Sequence, residues 1–253
     1  MTIVESIKDQ WQQMQEKPKK ERWAYIWDYY KWHIVIFLLV IVLLVQGVIA
    51  LVNHKDAVFT GFVLNCSVSG KSDDFIQGFY EYAGINTDKE EAAIYTDMYL
   101  RDGQSKKNAE VFHRIMAGVA IQDADFIVGQ PDTFQPCAYH TSKIMVDLRE
   151  FLDAETLEKY ADRLYYIDGA VLEQLDKPVG EAVGQVIYPN PRKPEIMDDP
   201  IPVGIDISDR AAIRDAYYFT TEDTVDDTVV YIGIIANTAR PELTRQFLDY
   251  IFS

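Results

Sequence analysis

His33–Val52 reads HIVIFLLVIVLLVQGVIALV, twenty residues without one Asp, Glu, Lys or Arg. Wound as an α-helix, such a run spans about 30 Å, the thickness of a bilayer's hydrocarbon core. It divides the 253-residue chain into residues 1–32, a span at 33–52, and residues 53–253. Lys17, Lys19, Lys20, Arg22 and Lys31 crowd the near side of the span, whereas Lys55 and Lys71 are the first cations beyond it. The positive-inside rule therefore predicts a cytoplasmic N-terminus and an extracellular C-terminal domain.

The approach to the span, WAYIWDYYKW, supports that placement. Trp23, Tyr25, Trp27, Tyr29, Tyr30 and Trp32 are amphipathic rings of the kind that settle at a headgroup interface. A cleaved signal peptide is the rival reading: Ile34–Val45 would be its apolar core and Ala50 the small residue before the cut. The 32 residues ahead, with their aromatic belt, favour an anchor that is kept. Farther upstream, Ile3, Ile7, Trp11 and Met14 recur at spacings of three and four, which predicts a short amphipathic helix ended by Pro18. It suits a membrane surface, or docking to a partner or a second copy.

Charge narrows the partners. The chain has 24 basic and 40 acidic residues, a formal net of -16. Residues 1–32 hold six of the basic and five of the acidic, which leaves 18 against 35 beyond the span. A surface of that sign excludes nucleic acid, whose phosphates require clustered Lys and Arg.

Residues 53–253 alternate β-rich runs with amphipathic ones: AVFTGFVLN, DDFIQGFYEYAG, EAAIYTDMYL, NAEVFHRIMAGVAIQ and ADFIVGQ. Strand, helix, strand, helix, strand predicts an α/β domain with a mostly parallel sheet flanked by helices. A helical stretch at residues 131–148, a helix AETLEKYADRL, strands PVGIDIS and TVVYIGIIAN, and a closing helix PELTRQFLDYIF follow.

Catalytic motifs fail on inspection. FVLNCSVSGKS, residues 62–72, ends like a phosphate-binding loop, yet Asn65 stands where the first glycine of G-x-x-x-x-G-K-[ST] belongs. Asp73 and Asp74 then follow and would repel a nucleotide, while Ser72 suits a helix N-cap. No G-x-S-x-G elbow, H-E-x-x-H pair or calcium loop occurs. The four histidines, His33, His54, His113 and His140, share no metal-ligand spacing, and the acidic runs at Glu90-Glu91, Asp198-Asp199 and Glu222–Asp227 read as solvated loops. Neither a catalytic residue, a metal nor a cofactor is assigned. Cys66 and Cys137 both lie in the exported part, where a disulfide is chemically permitted; spacing alone leaves free and bonded open.

Two further stretches carry a resemblance. ADFIVGQPDTFQPCAYHTSKIMVDLREFL, residues 124–152, together with PIPVGIDIS and VVYIGIIANTARPELTRQFLDYIF, resembles extracellular solute-binding proteins of the periplasmic-binding class. About half of residues 53–253 is covered, by motifs of low specificity. The anchor YIWDYYKWHI resembles the start of single-pass membrane proteins of Gram-positive bacteria. The resemblance implies a lobe whose closing strand and helix return to its beginning. At about 200 residues the domain is short for two lobes, so the second is expected to be reduced. Open α/β sheets bind beyond the carboxyl ends of their strands, which nominates Asn65 and Ser67 after the first strand and Gln130 and Asp132 after the third. Tyr217 and Tyr218 stand as an aromatic wall or as core. The expected function is a membrane-tethered, non-catalytic binding module for a small ligand or a membrane partner such as a transporter or envelope protein. A structural subunit of an envelope complex without a small ligand is the alternative.

Overall fold

The computed structural model describes residues 18–101, 103–177, 186–219 and 229–253. The predicted helix around Ile3–Met14 and the acidic run Glu222–Asp227 lie outside the described residues. Two compact units are present, residues 1–54 and 55–253.

In the first unit a single helix, α1 (Lys19–Val52), runs through the aromatic approach and the whole apolar stretch. Pro18 precedes it, where a missing amide hydrogen costs nothing. Lys31–Ile49 is long and apolar enough to cross a membrane, and none of it is buried inside the protein. The rings of Trp27 and Trp32 are exposed on its surface.

The second unit is a six-stranded sheet between two helical layers. Its strands are β1 (Asp56–Val63), β3 (Glu90–Tyr95), β4 (Phe126–Gly129), β5 (Leu164–Asp168), β6 (Pro200–Asp206) and β8 (Tyr231–Ile234), in the order β3-β1-β4-β8-β6-β5. A separate two-stranded ribbon pairs β2 (Cys66–Val68) with β7 (Tyr217–Phe219). The α/β class is as expected, but the sheet is not mostly parallel. β3, β1 and β4 run parallel, whereas β8, β6 and β5 each pair antiparallel. Strands β4 and β8 are buried at every position, and a strand covered on both faces has no polar alternation from which its neighbours can be read.

Two apolar clusters sit on the two faces. One joins Phe59, Val63, Phe126 and Ile232 to Phe75 and Phe79 of α2 (Ser72–Ala83) and Phe247, Leu248 and Ile251 of α9 (Pro241–Phe252). Phe59, Phe79, Phe126 and Phe247 meet with ring centroids 4.6–5.2 Å apart. The other joins Phe62, Leu64 and Ile127 to Val111 and Ile115 of α3 (Ser105–Ala120) and Phe134 and Cys137 of α4 (Pro131–Ala138). Short helices α5 (Leu148–Phe151), α6 (Ala154–Lys159), α7 (Gly169–Leu175) and α8 (Ala211–Ala216) complete the layers. Phe134 lies against β6 and β8 where Gly204 and Gly233 stand: a Cβ on either would come within 3.0 Å of its ring. Those glycines let α4 approach the sheet.

Asp125 ties the two halves of the chain together. Its carboxylate has no solvent exposure and accepts from Thr60 N at 2.7 Å and Arg240 Nε at 3.0 Å, and from the Thr238 hydroxyl. Arg240 also reaches Asp123 and the Ala57 carbonyl. One buried ion pair thus joins β1, the start of β4 and the turn before α9.

Candidate functional site

The chain leaves β1 through α2 to reach β3 on one side, then crosses back through α3 to β4 on the other. The carboxyl ends of β1 and β4 form the switch point where open sheets take ligands. Asn65 and Gln130 stand there on adjacent strands, each two residues past the registered pair Val63 and Val128. Ser67 is instead exposed on the ribbon, opposite Tyr218. Asp132 lies in the first turn of α4, where its Oδ1 accepts from Thr133 N. Of the four nominated residues, Asn65 and Gln130 come to the same end of the sheet, and Ser67 is carried away from them onto the ribbon.

Asn65 is occupied structurally. Its Nδ2 donates to the Leu100 carbonyl at 2.8 Å, its Oδ1 accepts from Leu100 N at 2.7 Å, and its own N–H donates to the Met98 carbonyl at 3.0 Å. The backbone at Asn65 is left-handed, φ 50°, a conformation that Asn tolerates better than most residues. The clamp draws Met98 and Leu100 into the cluster around Leu64 and Phe134, so the chain's own side chains fill this end of the sheet. Gln130 differs: it is 0 % exposed, and neither its amide oxygen nor its amide nitrogen has a hydrogen-bond partner. Leaving such a group unsatisfied costs about 1–3 kcal/mol.

The aromatic pair splits. Tyr217 is buried against Phe75, and Tyr218 is exposed. Cys66 and Cys137 are both free and buried, and they belong to the clusters on opposite faces of the sheet. The disulfide is therefore absent, and burial pushes both thiols up to about 12, far from the reactive thiolate range. Among the described residues no group of three His, Cys, Asp or Glu side chains gathers as a metal site would.

The open surface lies at the edge of the sheet. β3 pairs with β1 alone and has no strand on its other side among the described residues. Beside it runs a groove of about 380 Å³, lined by Ile76, Gln77 and Tyr80 of α2, Ala92 and Ile94 of β3, and Tyr217. The Tyr80 hydroxyl accepts from Ala92 N at 2.8 Å, so one outward amide of the edge is already capped. The next outward position by strand parity is Ile94. Asp73 lines the groove and Glu91 is exposed on the strand. Nothing in the sequence distinguished these residues, because strand order makes β3 an edge. Comparison of the chain with protein families, with curated proteins and with solved structures finds no match.

Proposed function

We propose that the protein is a single-pass, membrane-tethered binding module of the extracytoplasmic surface, without catalysis of its own. It takes an extended segment of a partner protein along the edge of β3. The open edge beside its groove carries this reading, because an extended chain laid there continues the ladder through the Ile94 backbone while its side chains enter the groove. Charge selects the segment: Asp73 and Glu91, on a domain with 35 acidic and 18 basic residues beyond the span, favour one that carries Lys or Arg. The return of the closing helix α9 onto β1, with β8 beside β4, supports a single solute-binding-like lobe.

A small polar ligand at the carboxyl ends of β1 and β4 is the second reading, favoured by the unsatisfied Gln130 amide. A photo-crosslinking residue at Gln77, compared with one at the exposed Lys159 of α6, separates the two in intact cells. Partner adducts from Gln77 alone, weakened by Asp73→Lys and Glu91→Lys, are expected. Equal labelling at both positions, or none, overturns edge binding.

A further inference from the structure

We propose that α1 pairs with α1 of a second copy of this chain, held by an amide-to-amide hydrogen bond between the two Gln46 side chains within the membrane. The inference rests on the transmembrane reading and goes beyond it by naming the partner. Gln46 is the one strongly polar side chain between His33 and Val52. It sits three residues inside the end of the Lys31–Ile49 stretch and six before Val52, about 5–9 Å along the helix axis. Its side chain leaves the helix tilted toward the N-terminus, away from that boundary, so a short amide does not reach water there as a long Lys or Arg would. It is exposed on the helix surface. In hydrocarbon such a group must find a partner on another helix.

The partner is argued from chemistry and position. A carboxamide carries both donors and an acceptor, so it is self-complementary across a two-fold axis that sets the same residue of each copy face to face. Gln46 also falls on a regular seam: Ile36, Leu39, Leu43, Gln46, Ala50 and Asn53 alternate spacings of three and four, the repeat that keeps one helix face against another. Gly47 flanks the seam, with no atom within 4 Å of where its Cβ would be, and lets the second backbone come close. A single polar residue in such a seam fixes register, because any slip leaves both amides unpaired.

The test uses the full chain in its membranes. Asn53→Cys, on the seam, and Leu51→Cys, off it, are oxidised in parallel, with carbonate extraction on the same samples. Carbonate-resistant chains that form disulfide-linked dimers through position 53 and not 51 are expected. In the Asn53→Cys background, Gln46→Leu lowers the dimer association constant about tenfold, and Gln46→Asn restores it. A carbonate-resistant chain with no dimer, one whose dimer survives Gln46→Leu unchanged, or one linked only to a different protein overturns the pairing. Release by carbonate overturns the transmembrane reading first, and the pairing with it.

Discussion

Asn65 looks from its position like a ligand contact and acts as a clamp. Each end of its amide is bonded to the backbone of Leu100. Asn65→Ala strands two backbone groups and keeps the left-handed turn, so we predict a loss of about 2 kcal/mol by urea denaturation of the detergent-solubilised chain. Arg240→Ala leaves the buried Asp125 carboxylate without its counter-charge, and an uncompensated buried charge costs about 3–5 kcal/mol. Arg240→Lys is expected to recover little, since one ammonium cannot serve Asp123, Asp125 and the Ala57 carbonyl together. His140 gives a pH dependence. Burial holds its pKa below the ordinary 6.5, and its Nδ1 accepts from Ser142 N at 3.2 Å while its ring stacks on Phe112. The folded state thus disfavours the proton. Its contribution is complete above pH 6.5 and is lost as pH falls from there to the lowered folded value. Replacing His140 by Asn should flatten the stability profile over that interval; an unchanged slope would assign the effect elsewhere.

Among the elements, β3 and β8 show what sequence pattern conveys. Both were legible as strands, and α2, α3 and α9 as helices, because amphipathic periodicity, with Gly84 closing α2 and Pro241 opening α9, reports local structure. Strand direction was not legible. β8 follows β6 in sequence but lies between β4 and β6, antiparallel to both, and its four residues are buried on both faces. The ribbon strands β2 and β7 and the edge strand β5 were missed: the ribbon strands have three residues each, and Leu164–Asp168 follows the helical signal of α6 without a break. The position of β8 makes a prediction at this scale. Removing residues 229–253 takes away β8 and α9, leaves β4 and β6 unpaired between them, and uncovers Phe59, Phe79 and Phe126. Limited proteolysis of that truncated chain should leave no resistant domain, whereas the full chain keeps one. Gly204→Val tests the approach of α4 more gently, since the added side chain meets the Phe134 ring first; overpacking of this kind costs about 1–3 kcal/mol.

Over the whole molecule, the two core faces explain why the cysteines stay apart. Cys66 faces α2 and α9, Cys137 faces the layer of α3, and the sheet lies between. We predict that a membrane-impermeant maleimide labels neither thiol in the native chain and both after unfolding, read as a mass increase of two adducts. Native labelling of one thiol would contradict its burial. The sequence by itself determined a long apolar helix, the acidic domain beyond it and the α/β class, because these follow from composition and from periodicities that act over a few residues. Tertiary structure alone decided that β3 is an edge, that the end of β1 is filled by Met98 and Leu100, and that Gln130 is enclosed without a partner. Those facts depend on contacts between residues far apart in the chain, such as Thr60 with Asp125 or Asp125 with Arg240, and no local pattern encodes which strands become neighbours.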